Sequence, residues 1–302
     1  MSGSENINQS DSEIPLSSRP RPVVFLLLDG LGIAPLTEAN AIASANTPVW
    51  KKLLEEYPAS LLTATGKDLN LRYLRIGTGC DLVDGNIGKI ESLSSVLSAA
   101  GLKQVKVAET ERFAALTHFF NGCNEEKMTG EEWKIISSET GDRSVKPMLS
   151  LKRVVNEIIK LINSDEPVDF IAASIPILDL VASSGEFSPV VRAVEELDKA
   201  LKKIIAEIIV QDGVLVISSA GGNAEKMIDL STEMANREMT DNPVPVVIVG
   251  EEFIGKVIGS SDTVGDDLSL SSPSGTLADL APTILDIMGI DKPEGMSGKS
   301  LL

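Results

Sequence analysis

Histidine is almost missing from this chain: of 302 residues, only His118 is one. Imidazole is the usual general base near neutral pH and a very common ligand for zinc-like and manganese-like ions. A mechanism that needs two histidines is therefore excluded by arithmetic. Cysteine is nearly as scarce. Cys80 and Cys123 make neither a disulfide framework nor a zinc-site spacing, and a cytoplasmic location is the expectation that follows. No apolar run approaches the ~18 residues that would suggest a membrane span. The first 20 residues, MSGSENINQSDSEIPLSSRP, lack a positive leader and an apolar stretch, so residues 1–20 read as a disordered tail and not as a signal peptide. Basic side chains are in deficit as well: 27 face 44 acidic ones, for a net charge of −17. Such a field repels nucleic acid and anionic membrane.

What is present is ordinary for a globular protein, with 43% hydrophobic and 24% charged residues. Pro22 to Leu28 (PVVFLLL) is a continuous apolar run that suits a strand buried on both faces. QVKVAE, VDFIAASI, VLVIS and VPVVIVG read the same way, and ALTHFF as another β-like run. Between them lie helical patterns: Thr47-Pro48 opening VWKKLLEEY, Lys89 to Ala100, Leu149 to Ile162, Ser188-Pro189 through Ile209, and a helix ending at Met288. Gly66 to Gly88 carries no clear periodicity. Alternating strands and helices predict an α/β fold with a mostly parallel sheet covered on both faces.

In a parallel sheet of that kind, ligands bind beyond the C-terminal ends of the strands. The stretch VLVISSAGGNAEKM, Val214 to Met227, supplies such a loop and leaves it chemically blank: two hydroxyls, an alanine and two glycines.

The blank loop lies among long, ordered phrases. PVVFLLLDGLG, NAIASANTPVWKKLLEEYPASLLTATG, SLSSVLSAAGLKQVKVAETERFAALTHFFNG, GNAE, NPVPVVIVG and LADLAPTILDIMGI…GMSGKSLL resemble the cofactor-independent phosphoglycerate mutases of the alkaline phosphatase superfamily. The resemblance implies an alkaline-phosphatase-like metal domain, two divalent metals and a serine nucleophile. It also implies an inserted substrate domain, which here is replaced by about Cys80 to Glu91 (CDLVDGNIGKIE). A single domain over residues 21–302 is the expectation.

Position by position, the family's chemistry thins out. Its first-strand aspartate maps onto Asp29, and the aspartate of its Asp-x-x-x-His motif onto Asp179, with Ser183 in the histidine's place. Its Asp-His pair becomes Ala220-Gly221, and its last histidine becomes Met239, a thioether unsuited to a hard divalent ion. No serine or threonine occurs from Lys67 to Ile76, before the Gly77-Thr78-Gly79 turn, so the hydroxyl nucleophile is gone. Two of seven ligand positions remain. No cofactor is expected on this reading, since two carboxylates hold a hydrated Mg²⁺ or Mn²⁺ only weakly. Arg112 stands where the family has a lysine in AETERFAA. It either binds an anion, such as a phosphorylated or carboxylate ligand, or makes an internal ion pair with a carboxylate such as Glu109. Asn223 and Glu225 read as residues kept for a turn and a helix start, and His118 as a half-buried structural one. The resemblance and its gaps give the expectation of a non-catalytic descendant that acts through an unknown protein partner, as a regulator, or by binding an anion. The alternative is a weak metal-dependent phosphohydrolase or mutase working with residual ligands.

Overall fold

The apolar runs of the sequence become the inner strands of one sheet in the computed structural model, which describes residues 19–81, 90–139, 141, 147–259 and 267–302. The proposed tail up to residue 18 and most of the Cys80–Glu91 bridge lie outside the described residues. The strands are β1 (Val23–Leu27), β2 (Ala59–Thr63), β3 (Gln104–Glu109), β4 (Glu131–Ile136), β5 (Phe170–Ser174) and β6 (Val214–Ser218). After a small hairpin of β7 (Ile228–Asp229) and β8 (Met234–Ala235) come β9 (Val244–Val249) and β10 (Gly275–Thr276). The eight-stranded sheet runs β10-β2-β9-β6-β1-β5-β3-β4. Only β9 is antiparallel to its neighbours. The sheet is mostly parallel, as the alternation of elements predicts.

Helices α1 (Ala41–Ser44), α2 (Pro48–Glu56), α3 (Leu69–Thr78), α4 (Leu93–Ala99), α5 (Pro147–Ile162), α6 (Ile177–Ala182), α7 (Phe187–Val210) and α8 (Leu280–Ile287) cover both faces. The period-two geometry of β1 divides the core between them. Val24, Leu26 and Leu28 meet α2, α5, α6 and α7 on one face. Val23, Phe25 and Leu27 meet α3, α4 and α8 on the other. Burial on both faces is why β1 reads as an unbroken apolar run instead of an alternating one. None of the helices among the described residues is long and apolar enough to cross a membrane.

Three local readings need correction. ALTHFF is not a strand: Ala115–Phe119 forms a π-helical turn packed on α3. A short apolar run carries no period that separates the two possibilities. Gly66 to Gly88 does contain a helix. Asp68 caps α3 by accepting from the Asn70 amide at 2.9 Å, and Gly79, at φ +61°, ends it in the left-handed conformation. Its pattern is hidden because its buried side includes Arg72 and Tyr73. Lastly, α7 starts at Phe187, so Ser188 is not its cap.

The start of α2 is secured from across the core. The Thr47 side chain makes no capping bond. Instead Asp198 of α7, 4% exposed, accepts from the Trp50 amide at 2.8 Å and the Val49 amide at 3.2 Å. Asp198→Ala is therefore expected to lower stability by about 1–2 kcal/mol, as losing a helix cap does. An unchanged denaturation midpoint would show that water replaces the carboxylate at no cost.

Candidate functional site

Four parallel strands deliver their C-terminal ends to one spot. Asp29 follows β1, Asp179 lies in the first turn of α6 after β5, and the Ser219–Glu225 loop follows β6. Past β3, a 3-10 turn at Thr110–Arg112 carries Arg112 to the same place, and α3 brings Arg72 and Tyr73 from the side. The Asp29-Gly30 step has a backbone reason. Gly30 sits at φ +95°, and a Cβ there would strike the Asp179 amide. Its own amide donates to Gly221 O at 2.8 Å, while its carbonyl accepts from Asn223 and Ala224 at 3.2 and 3.1 Å. The Asp179 amide donates to Asp29 O at 3.0 Å. Strand ends β1, β5 and β6 are stitched together before any side chain is counted.

Arg112 is the centre of the side-chain cluster. Its Nε donates to Asp29 Oδ2 at 2.9 Å, and its Nη2 pairs with Asp179 Oδ2. One guanidinium thus spans the two carboxylates that the sequence singles out, and these are its ion-pair partners in place of Glu109. Tyr73 Oη donates to Asp29 Oδ2 at 2.7 Å and exchanges a hydrogen bond with Ser174 Oγ at 2.8 Å. Asn223 Nδ2 donates to Asp179 Oδ1 at 2.9 Å, so this residue does more than shape its turn. Two oxygens of the cluster, Asp29 Oδ1 and Asn223 Oδ1, are buried without a hydrogen-bond partner.

The electrostatics follow from burial. Desolvation pushes the Asp29 carboxyl up from its usual range, and Arg112 and Tyr73 only partly offset this. The Tyr73 phenol is raised further, by burial and by the Asp29 charge, so it stays a proton donor. Burial works against the charge on Arg112, but Asp29 and Asp179 outweigh it and hold the guanidinium charged.

A second arginine fills the blank loop. Arg72, 1% exposed, donates through Nη1 to Ala220 O at 3.1 Å and through Nη2 to Thr240 O at 3.1 Å. Its Nε reaches Gly66 O at 2.6 Å, and Nη2 also meets Asp241 Oδ1 at 2.8 Å. A Cβ on Gly221 would collide with Arg72 Nη1 and the Met239 sulfur. The volume a ligand side chain would need at position 221 is taken by these two residues. Next to it, Glu225 accepts from Thr240 Oγ1 and from Asn242 Nδ2, the latter at 3.0 Å, and its carboxylate packs over Gly32 and Gly222. Glu225 thus braces the turn, but no helix starts after it: the chain runs on to β7. His118 lies apart, with Nδ1 at 3.3 Å from Asn124 O and its ring edge-on to Phe119.

Sequence reading placed Asp29, Asp179 and Arg112 without bringing them together, and it missed Arg72, Tyr73 and Ser174. The one signal for the first two was an Arg-Tyr pair inside a segment otherwise lacking a pattern. The hydroxyls in the cluster, Tyr73 and Ser174, are fully buried. Neither is open to a substrate.

A family model described as the Metalloenzyme superfamily matches residues 21–292. The chain is 32% identical over 246 residues to the 2,3-bisphosphoglycerate-independent phosphoglycerate mutase of Symbiobacterium thermophilum, covering 81% of this chain and 44% of that protein. It is 36% identical over 219 residues to the mutase of the same name from Acetivibrio thermocellus, covering 71% and 40%. The chain thus spans about two fifths of the length of these curated relatives. A phosphoglycerate mutase from Leishmania mexicana, described at low cobalt concentration, shares the fold with a TM-score of 0.79 at 13% identity, over 93% of this chain and 97% of that one. A mutant of TAB5 alkaline phosphatase matches with a TM-score of 0.57 at 12% identity, over 91% and 99%.

The match to a metalloenzyme model corrects the expectation of no cofactor. In a superfamily of this description a metal is the group to expect, and the residues present have to be measured against it. They do not fit a pair of ions. Among the described residues no group of three or more His, Cys, Asp or Glu side chains is placed to hold a metal. The two carboxylates in the right place already share a guanidinium, although two buried oxygens beside it are left without partners.

Proposed function

This chain belongs to the metalloenzyme superfamily as a homologue of the 2,3-bisphosphoglycerate-independent phosphoglycerate mutases, and from that premise we propose that it is a non-catalytic member, acting through a protein partner, as a regulator, or by binding a small anion. Residues 21–302 form its single domain on this reading, without an inserted second one. One observation carries the proposal: Arg112 lies between Asp29 and Asp179 and engages both. Phosphoryl transfer by the two-metal route needs paired ions ~3.5–4 Å apart, clamping the attacking and leaving oxygens. It also needs an accessible nucleophile, and the hydroxyls here are sealed in the core.

The test is an assay of the purified chain, supplied with Mn²⁺ or Mg²⁺, for interconversion of phosphoglycerate isomers and for hydrolysis of a simple aryl phosphate. No turnover above buffer is expected for either reaction. Metal-dependent turnover that survives further purification and disappears in Asp29→Asn would overturn the proposal.

A further inference from the structure

We propose that β4 pairs edge to edge with β4 of a second copy of this chain, antiparallel about a two-fold axis at Trp133, so that two sheets join into one. β4 is the outermost strand on its side, bonded only to β3 within the sheet. In a parallel ladder, successive residues of a strand turn their backbone groups alternately towards and away from the neighbour. Gln104 of β3 lies opposite Glu131, and its amide donates to Gly130 O. The backbone groups of Glu132, Lys134 and Ile136 therefore turn to β3, and those of Glu131, Trp133 and Ile135 turn outwards. The Glu131 amide is taken by Met128 O at 3.0 Å. The outward amides and carbonyls of Trp133 and Ile135 have no hydrogen-bond partner among the described residues. A strand edge of this kind is a template for another strand, and the Ile135 side chain beside it is 52% exposed.

The side chains select the partner and the register. In an antiparallel pair, outward residues have to face outward residues, so a two-fold axis falls on a residue and not between two. With the axis at Trp133, the two Trp133 residues exchange both backbone bonds, and each Ile135 amide reaches Glu131 O of the other copy. Glu132 then lies opposite Lys134 of the second copy and Lys134 opposite its Glu132, in the closer kind of cross-strand pair. Moving the axis to Glu132 or to Lys134 sets each of those charges against its own kind. The sequence Glu132-Trp133-Lys134 is thus complementary to itself in one of these three registers. Within one chain Glu132 and Lys134 already pair at 2.8 Å, with side chains 65% and 37% exposed. Exchanging partners between copies adds little attraction, so the charges act mainly by penalising the wrong registers. The net charge of −17 on each copy opposes approach from a distance, but salt screens it beyond about 8 Å at physiological ionic strength. The expected association is weak and reversible.

This inference is read by association state and holds whether or not the chain turns over a substrate, so it and the proposed function can fail separately. The full chain is followed by sedimentation velocity in physiological salt from about 1 to about 300 μM, and a dimer whose fraction rises with concentration is expected. Lys134→Glu places Glu132 against a second carboxylate at both pairs and is expected to weaken the dimer by at least about tenfold. Glu132→Lys is expected to do the same with two ammonium groups. Mixing these two variants restores both opposite-charge pairs, so a heterodimer is expected where each variant alone stays monomeric. The double variant Glu132→Lys with Lys134→Glu is expected to dimerise like the parent. Both side chains are solvent-exposed, and circular dichroism melts confirm that each variant is folded. A parent that stays monomeric throughout, a dimer indifferent to Lys134→Glu, or a mixture that forms no heterodimer overturns the inference.

Discussion

Arg112→Met is expected to lower unfolding free energy at neutral pH by about 3–5 kcal/mol, the usual loss when one partner of a buried ion pair is removed. The side chain is buried against Asp29 and Asp179, and its loss strands at least one carboxylate in the core without a counter-charge. The effect has a pH signature. Burial already holds the Asp29 carboxyl above its ordinary range in the folded protein, and without Arg112 it rises further. A carboxyl that keeps its proton longer when folded than when unfolded loses stability as pH rises through that window. The deficit of Arg112→Met is therefore expected to be smaller near pH 4 than at pH 7. Asp29→Asn together with Arg112→Met removes one charge of each sign and is expected to recover most of the loss. Urea denaturation of the three variants at both pH values measures all of this. A deficit of the same size at pH 4 and pH 7 would mean that lost packing, and not an uncompensated charge, governs the site.

Glu131→Gln is the second large effect, far from the first. Lys106 of β3 and Glu131 of β4 pair at 3.0 Å with side chains 1% and 0% exposed. Asn121 Nδ2 donates to both oxygens of Glu131 at 3.1 Å, its Oδ1 accepts from Lys106 Nζ, and Phe120 presents its ring 4.6 Å from that ammonium. Burial lowers the Lys106 amine to about 8 even with Glu131 beside it. Without the carboxylate it falls further, and the amine is buried either charged and unpaired or neutral. A loss of about 3–5 kcal/mol is expected near pH 6. The sign of the pH dependence is fixed. An amine that gives up its proton more readily when folded gains stability as pH rises above its folded value. That value is lower in the variant than in the parent, so the variant gains first and its deficit narrows as pH rises towards 8. Lys106→Met with Glu131→Leu removes the pair as a unit, which is often close to neutral for stability. Circular dichroism melts of the two variants from pH 6 to 8 decide it, and a deficit that widens with pH would contradict the assigned charge states.

Both predictions depend on residues of very different legibility. Asp29, Asp179 and Arg112 could be picked out because they stand in phrases that resemble a known family. Arg72 and Tyr73 could not, because they lie in a helix whose buried side is partly polar, and hydrophobic period is the main signal by which helices are read. Lys106 and Glu131 were invisible for a related reason. A charged residue in a strand reads as solvent-facing until its partner, 25 positions on and in the neighbouring strand, is known.

The cofactor question divides along the same line. Counting ligand types along the chain suggested that no metal belongs here. Membership in a metalloenzyme superfamily makes one the expected group, and the side-chain geometry shows what a metal would have to displace.

By itself the sequence determined the α/β class, the inner strands β1, β5, β6 and β9, and the small, uncharged make-up of the loop that opens after β6. Those properties follow from local composition: unbroken apolar runs, glycine turns, and the residue types present or missing. Only the tertiary structure decided what fills that loop and what joins the two aspartates. Arg72 reaches Ala220 across 148 positions, and Arg112 reaches Asp29 across 83 and Asp179 across 67. Which buried charge meets which is set by how strand ends converge in space. No property of either residue's own neighbourhood in the chain records it.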